Sequence, residues 1–363
     1  MFSGKRVRQA RELRRLTQID LARLLGKSQA AITHVERGFK EPSADLISAI
    51  AQHTHLPVAF FTTDPPVSVP VEILLFRSRA AMTRRDALAA ARYAEIIFEM
   101  GMNLAPYVTQ LPLRLEKSSK SPSEAAIQAR KWLGLSADEP IQHLVNSMER
   151  AGILVFPIPV EQDDIDAFST WIDSFPVVGL CAGRNSGDRK RWSAAHELGH
   201  LVLHFNRPIR SDEHKEADMF AGELLLPEKA MRREIVAPVT LSSLAALKPR
   251  WGVSIQALIY RSHELGIIAD RQYRYLFEQV SIRGWRTREP SNLDIAIEKP
   301  RALIKIVEVS PFANNPARLA AELRLTVENV KEILDSYDVM ASPPSHGTRD
   351  ISSKVVRFEQ MKR

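Results

Sequence analysis

The sequence predicts a mainly α-helical protein with a small β-sheet, an α+β fold divided among several domains. Apolar residues recur with helical spacing through residues 1–61 and again through 189–265. Between these regions, β-branched runs at 152–160, 166–172 and 175–182 have the length and composition of strands. With 363 residues, the chain is long enough for two or three domains, each with its own core.

Composition excludes several classes of protein. Hydrophobic residues make up 45% and charged residues 26%, as in soluble globular proteins. The single cysteine, Cys181, excludes an internal disulfide framework and a cysteine-rich zinc site. The first residues lack the apolar core of a signal peptide, and no apolar run approaches the ~20 residues that span a bilayer. We therefore expect no membrane association and a bacterial-type cytoplasmic location.

Domain boundaries follow from breaks in this pattern. Pro65, Pro66 and Pro70 interrupt the first helical region, because proline lacks an amide donor and favours extended backbone. After residue 290 the strong helical pattern ends. The predicted division is an N-terminal domain at 1–64, a proline-rich linker at 65–72, a central domain at 73–290 whose catalytic part is 151–268, and a C-terminal domain at 291–363.

The N-terminal domain begins with two short helices around a tight turn. Thr17 and Ser28 are predicted N-caps, since their hydroxyls can accept hydrogen bonds from first-turn amides. Gly26 is predicted to end the first of these helices in a left-handed conformation. Ile32 and Val35 should point into the core from the second helix. The first helix should bury Ile19, Leu21, Ala22, Leu24 and Leu25.

The outward face of the second helix has the chemistry of a DNA-reading surface. Glutamine can bond adenine edges, and small apolar groups accept a thymine methyl. Residues 1–61 also hold ten Lys or Arg against five Asp or Glu, which favours a phosphate-bearing partner. A helical bundle used only for protein contact is the alternative. The outward side chains are Gln29, Ala30, Thr33 and His34.

The segments LTQIDLARLLGKSQAAITHVERG and PSADLISAIAQ resemble the Xre/Cro-type helix-turn-helix repressors over residues 5–61. The resemblance implies a five-helix DNA-binding domain that binds a double-stranded operator as a homodimer. It places Gln18, Arg37 and Lys40 near phosphates and the outward face of the second helix in the major groove. The full predicted DNA-binding set is Gln18, Ser28, Gln29, Ala30, Thr33, His34, Arg37 and Lys40.

The segment RWSAAHELGHLVLH predicts a metal-binding helix. His196 and His200 are separated by four residues, so both imidazoles project from one helical face and can bind one ion. Glu197 lies on a neighbouring part of that face, where it can act on water without binding the metal. A buried structural histidine pair is the alternative, but two histidines and a glutamate in an apolar helix are costly without a partner.

A catalytic zinc ion needs a third protein ligand and one open position. His204 is disfavoured, because it lies about 12 Å along the helix from His196 and about 80° around the axis. Glu216 is the preferred candidate, since the pattern places it on the inward face of the next helix with Met219 and Phe220. Glu213, one turn earlier, is equally compatible with the spacing.

The pair of segments HELGHLVLH and EADMFAGELLLP resembles the ImmA/IrrE metallopeptidases, as do LFRSRA (75–80), DAFSTW, DRKRWSAAHELGH and WGVSIQALIYRSHELGII. The resemblance implies a gluzincin-like core in which His196, His200 and Glu216 bind Zn²⁺ and Glu197 is the catalytic residue. It also implies an endopeptidase that cleaves a regulatory protein such as an Xre-type repressor. The alternative is a non-catalytic transcription factor, of phage or toxin-antitoxin type, whose peptidase-like domain is a sensor or scaffold.

Three further predictions concern the surroundings of this centre and the C-terminal domain. Arg189, Arg191, Arg261 and His263 are candidates for stabilising an oxyanion. The edge of the strand 175–182 is a candidate for pairing with an extended substrate. Residues 291–363 form a small α/β accessory domain, with a strand at 301–309 and a helical pair at 316–336 that resembles a second helix-turn-helix. The nearly balanced charge of this region weakens a DNA-binding role for it.

Overall fold

The computed structural model of the chain describes residues 2–72, 83–107, 112–158, 166–172, 174–181, 186–205 and 212–339. The fold is mainly helical with one small sheet, as the sequence predicts. Within these ranges, no helix is both long enough and apolar enough to cross a bilayer.

The N-terminal domain consists of four α-helices and a 3-10 helix at Val58–Thr62. The predicted caps are confirmed, because Thr17 accepts a hydrogen bond from the Asp20 amide and Ser28 accepts one from the Ala31 amide. Gly26 adopts a φ of 61°, the left-handed conformation that glycine reaches without strain. The α-helices are α1 (Gly4–Leu13), α2 (Gln18–Leu24), α3 (Gln29–Glu36) and α4 (Ala44–Thr54).

The burial of apolar residues on α2 and α3, the two helices of the helix-turn-helix, agrees only partly with the predicted pattern. Ile32 and Val35 are buried as expected, and so are Leu21 and Ala22. Ile19 is 52% exposed and Leu24 is 39% exposed, contrary to the prediction. Ile19 lies about 200° around the helix axis from Leu21, so one short helix cannot bury both against the same core.

Helix α5 (Arg84–Leu104) packs against α1 and joins the N-terminal domain to the rest of the chain. The Arg6 guanidinium forms an ion pair with Glu99 at 2.6 Å, and the Gln9 amide donates to the Glu95 carboxylate at 2.8 Å. Arg6, Gln9 and Glu95 are almost fully buried, and the Glu99 side chain is 14% exposed. The contact therefore fixes the orientation of α1 on α5 by hydrogen bonds as well as by packing.

The proline-rich segment at 65–72 also packs against α5. Val67, Val69 and Val71 are buried in the same apolar core as α1 and α5. The Val69 amide donates to Glu95 at 2.7 Å. The segment has no helix or strand before Val71, and these contacts anchor it along α5.

A three-stranded sheet follows, with the order β1-β3-β2. Strand β1 (Leu154–Ile158) runs parallel to β3 (Phe175–Cys181), and β2 (Ala167–Ile172) runs antiparallel to β3. Both edges of β3 are therefore paired. The prediction that the edge of β3 receives a substrate is wrong, because a central strand has no free backbone hydrogen-bonding edge.

Helices pack on both faces of this sheet, because Val177 of β3 belongs to the apolar core that includes α5 and Val178 belongs to the core that includes α8 (Gly187–Leu203). Helix α8 contacts β2 and β3 on one side and α9 (Glu213–Leu225) on the other. Most of α8 is buried within the second of these cores. The remaining helices are α6 (Pro122–Trp132), α7 (Leu144–Arg150), α10 (Glu228–Glu234), α11 (Leu241–Trp251), α12 (Ile255–Glu264) and α13 (Asp270–Ile282).

The C-terminal region up to Val339 consists of helices α14 (Ala302–Val309), α15 (Pro316–Glu322) and α16 (Val327–Val339). The predicted strand at 301–309 is wrong, since α14 occupies it and buries Leu303 and Val307 one helical turn apart. β-branched residues favour strands only weakly, and contact with α5 and β1 determines the structure here. The predicted helical pair is confirmed by α15 and α16.

Glu149, at the end of α7, holds the start of α14. Its carboxylate accepts hydrogen bonds from the backbone amides of Arg301 and Ala302 at 2.8–3.0 Å. Burial, partly offset by these amides, raises the pKa of Glu149 from an ordinary value of 4.5 to about 7. The folded chain therefore binds this proton more tightly than the unfolded chain does.

We expect Glu149→Gln to gain stability relative to the wild type as the pH rises. A raised carboxyl pKa stabilises the folded state at low pH, and that contribution is lost as the pH rises towards the folded value. Between about pH 5 and pH 8 the difference in unfolding free energy should shift by about 2 kcal/mol in favour of the variant. Urea unfolding of both proteins across this range measures it. A constant difference would contradict the prediction.

Candidate functional site

The candidate metal centre lies between α8 and α9. His196 and His200 project from consecutive turns of α8, and their Nε2 atoms lie 3.1 Å apart. Both rings are nearly or fully buried. The predicted convergence of these two imidazoles on one point is therefore present.

The first histidine is oriented by α9. Asp218 Oδ1 lies 2.9 Å from His196 Nδ1 and accepts a hydrogen bond from the Trp192 indole at 3.3 Å. A carboxylate at Nδ1 favours the tautomer with its proton on Nδ1 and its lone pair on Nε2. Asp218 thus directs His196 Nε2 into the space between the helices.

The second histidine is oriented by its own helix end. His204 Nδ1 lies 2.9 Å from His200 Nδ1, and Glu216 Oε2 lies 2.8 Å from His204 Nε2. His204 was predicted to lie outside the ligand set, and it contacts the far nitrogen of His200. Glu216, predicted as the third ligand, reaches this cluster at His204.

The inward face of α9 differs from the predicted one. Met219, predicted to point inward beside Glu216, is 43% exposed. The buried stripe consists of Ala217, Phe220, Ala221 and Leu224 at helical spacing. This rotation brings His214 to His196, with His214 Nδ1 3.2 Å from His196 Nε2.

Sequence reasoning missed His214. The signal was available, because His214 and Asp218 are four residues apart on α9, as His196 and His200 are on α8. The predicted ligands on that helix were its carboxylates, Glu213 and Glu216. Within the described part of the chain, two groups of three side chains each bring one ligand atom per residue within 4.8 Å of the others. These groups are His196, His200 and His214, and His200, His204 and Glu213.

Glu213 provides an independent test of whether this space fits a cation. Its side chain is 2% exposed, and neither carboxylate oxygen forms a hydrogen bond. One oxygen lies 4.0 Å from His200 Nδ1 and 3.9 Å from His204 Nδ1. A buried carboxylate without donors is costly unless positive charge lies nearby. The site therefore fits a divalent cation bound by imidazole nitrogens, a donor set that suits zinc.

Glu197 lies beside the two histidines on α8 and faces the sheet. Its side chain is buried, and its Oε2 accepts a hydrogen bond from Ser169 on β2 at 2.6 Å. This hydrogen bond holds the carboxylate in one orientation. Glu197 is therefore placed between the metal helix and β2.

The candidate oxyanion stabilisers are engaged elsewhere. Arg191 forms an ion pair with Glu298, and Arg261 forms one with Glu223. His263 pairs with Asp270 at 2.6 Å, and Arg189 pairs with Asp166 at 3.0 Å. Each of these four side chains has a structural partner.

Cys181 can be set aside as a nucleophile. Burial raises the pKa of the Cys181 thiol to about 12, with a smaller opposing effect from Lys190. The thiolate is the reactive form of cysteine, and it is not populated at neutral pH in such surroundings. Cys181 is therefore not expected to act as a nucleophile in this domain.

The candidate DNA-binding face lies on α3 and its flanks. Ser28, Gln29, Ala30 and His34 are exposed, and Thr33 is half-buried. Arg37 and Lys40, at the end of α3, are also exposed. Most of the predicted set is therefore accessible to a large ligand.

Gln18 has an internal role as well as a predicted one. Its carbonyl accepts from Thr33 Oγ1 at 3.0 Å, and its amide donates to Glu36 at 2.8 Å. Glu36 is itself paired with Arg11 at 2.5 Å. Gln18 thus joins α2 to α3, and the second N–H of its amide is the group it could offer to a phosphate.

Comparison with protein families agrees with both resemblances. Residues 7–61 match the helix-turn-helix family of the Xre type, and residues 148–263 match the IrrE N-terminal-like domain of the M78 peptidases. The second match includes the whole sheet, α8 and α9. A search of curated proteins gave no match. The chain therefore fuses an Xre-type helix-turn-helix domain to an ImmA/IrrE-like domain.

Proposed function

We propose that this fusion is a DNA-binding transcriptional regulator whose ImmA/IrrE-like domain is a zinc-dependent endopeptidase. The observation that carries the proposal is the arrangement on α8. His196 and His200 converge through Nε2, while Glu197, between them in sequence, is held by Ser169. A purely structural histidine pair has no need of a buried, oriented carboxylate at this position.

Each predicted domain has a role in the proposed function. Residues 1–64 bind DNA, and residues 73–290 carry the peptidase, with 151–268 as its catalytic part. Residues 291–363 form an accessory region, in which α14 packs on α5 and β1, and α16 packs on β1. We place the protein in a bacterial-type cytoplasm as a homodimer on paired half-sites.

The chemistry divides between the metal and the side chains. His196, His200 and a ligand from α9 would hold a zinc ion, which would lower the pKa of water and polarise the scissile carbonyl. Glu197 takes the proton from the attacking water and transfers it to the departing amine. Ser169 keeps the Glu197 carboxylate in position for both transfers.

The outer edge of β2 is the proposed place for the substrate backbone. Among the described residues, β2 pairs with β3 on one side only. Ser169 of β2 contacts Glu197, so this edge passes beside the proposed general base. An extended peptide can add to such an edge through main-chain hydrogen bonds.

The proposed substrate is a regulatory protein, of which an Xre-type repressor is the leading candidate. A DNA-binding domain on the same chain raises the local concentration of the peptidase at promoters occupied by such repressors. Cleavage would relieve repression. The experiment is incubation of the purified protein with Xre-type repressors encoded near its gene, followed by mass spectrometry of fragments.

The expected result is a zinc content of about one ion per chain and fragments that disappear after chelation and return with added zinc. Absence of zinc in the purified protein and after reconstitution would overturn the metallopeptidase proposal. Fragments that persist in the apoprotein would do the same.

The proposed DNA contacts are Gln18, Ser28, Gln29, Ala30, Thr33, His34, Arg37 and Lys40. We expect Arg37→Ala and Lys40→Ala to weaken binding to every sequence and each to lower the salt slope by about 1, because these cations face phosphates. Gln29→Ala and His34→Ala should instead cost about 1–3 kcal/mol of preference for a selected operator. Fluorescence anisotropy at several salt concentrations separates the two effects. Unchanged operator preference in the Gln29 and His34 variants would contradict this assignment of α3.

A further inference from the structure

We infer that His214, rather than Glu216, supplies the third protein ligand of the zinc ion, through its Nδ1 atom. Glu216 then acts as a positioning residue through His204. The inference rests on the proposed function to the extent that the site binds zinc. It changes the ligand set from two imidazoles and a carboxylate to three imidazoles.

His196 Nε2 makes two short contacts with other ring nitrogens, which is more than one imidazole nitrogen can satisfy by hydrogen bonding. His196 Nε2 lies 3.1 Å from His200 Nε2 and 3.2 Å from His214 Nδ1. An imidazole nitrogen has one in-plane site, which is either an N–H or a lone pair. It cannot form a full hydrogen bond with two other ring nitrogens at once. Three lone pairs directed at one shared cation account for both short distances.

The distances agree with this interpretation. For zinc–nitrogen bonds of about 2.0–2.1 Å, two ligands of a tetrahedral ion lie roughly 3.3 Å apart. The observed nitrogen separations of 3.1 and 3.2 Å are close to that value. The rings of His196 and His214 are nearly parallel at 16°, with their centroids 5.5 Å apart.

Asp218 supports the same ligand set from the outside. His196 Nδ1 faces Asp218, which leaves Nε2 for the metal. Asp218 and His214 are four residues apart and lie on one face of α9. One helical turn of α9 therefore supplies both a ligand and the carboxylate that orients the neighbouring ligand.

Glu216 occupies a different place in the cluster. Its carboxylate lies at His204 Nε2, and His204 Nδ1 lies at His200 Nδ1. A carboxylate in this position fixes the His204 ring, which in turn fixes the far nitrogen of His200. His200 Nε2 is then directed towards His196.

The second donor group does not compete for the catalytic ion. His200, His204 and Glu213 are all buried, whereas His214 is only half-buried and leaves the first group open to water and substrate. A catalytic zinc requires such an open position. Glu213 Oε2 also lies 3.9–4.0 Å from the two Nδ1 atoms, farther than the 3.1 and 3.2 Å nitrogen contacts of the first group.

The experiment compares His214→Ala, Glu216→Gln and the control His263→Ala, which removes a histidine paired with Asp270 on the surface. Zinc affinity is measured by competition with a chromophoric chelator, and cobalt(II) substitution reports the donor set through the visible spectrum. Circular dichroism confirms folding of each variant. A further variant, His214→Asp, tests whether another metal-binding side chain restores affinity.

We expect His214→Ala to lose zinc affinity at least about a hundredfold and to change the cobalt spectrum. Glu216→Gln should lose about tenfold and keep the wild-type spectrum, because it acts through another residue. His263→Ala should match the wild type, and His214→Asp should recover part of the affinity. If Glu216→Gln loses more affinity than His214→Ala, or if His214→Ala retains the wild-type spectrum, the inference is overturned while the proposed function stands. If the wild type binds no zinc, both fail.

Discussion

Glu197→Gln is expected to lower cleavage of the proposed repressor substrate by about 10²–10⁴-fold, the usual contribution of a general acid–base group. The amide is similar in size to the carboxylate and can accept the hydrogen bond from Ser169, so the local fold should persist. It cannot take a proton from water at neutral pH. Glu197 belongs to neither of the two groups of side chains that could hold a metal ion, so the zinc content should remain at the wild-type level.

The measurement is the rate of fragment formation at matched zinc occupancy, together with operator binding by the same protein. Ser169→Ala is a graded control. It removes the hydrogen bond that orients the Glu197 carboxylate, so a smaller fall in rate is expected than with Glu197→Gln.

The same variant separates the peptidase from the alternative of a sensor or scaffold. Lost processing with retained zinc and retained DNA binding supports the peptidase. If Glu197→Gln regulates transcription as the wild type does although no fragments form, the domain is a non-catalytic element of a transcription factor. The buried Glu197 would then have only a structural role.

Local signals in the sequence predicted the parts of the site that depend on one helix. The pairing of His196 with His200 follows from helical geometry alone, and the caps at Thr17 and Ser28 follow from hydroxyls placed before apolar helices. These features require no knowledge of what packs against them. They are therefore present in the structure as predicted.

Features that depend on two elements were harder to predict. The rotation of α9 decides whether Glu216 or His214 faces α8, and the apolar pattern left this ambiguous because Met219 suggested a face that is 43% exposed. The order of strands in the sheet likewise decides that β3 is central, and no residue within β3 encodes that. The helix at 302–309 replaced a predicted strand because neighbouring helices and β1 bury Leu303 and Val307 together.

The close approach of α8 and α9 gives the second large effect, at Gly199. This glycine lies between His196 and His200 on the side facing α9. A Cβ atom there would lie 3.1 Å from Phe220 Cδ1 and 3.2 Å from Ala217 Cα. The backbone of Ala217 cannot move without shifting α9, which carries His214, Glu216 and Asp218.

Gly199→Leu should therefore force the helices apart and lower zinc affinity by about a hundredfold or more, since a ligand displaced by a few tenths of an ångström loses its bond geometry. Overpacking should also lower the unfolding free energy by about 1–3 kcal/mol. Gly199→Ala should show the same changes to a smaller degree.

The matched control is Gly222→Ala on α9, where a Cβ would meet its nearest neighbour, Glu264, at 3.6 Å, an ordinary contact. That variant should keep its zinc affinity and gain about 0.5–1 kcal/mol from helix propensity. Equal zinc affinities in the Gly199→Leu and Gly222→Ala proteins would show that the spacing of α8 and α9 does not control the metal site.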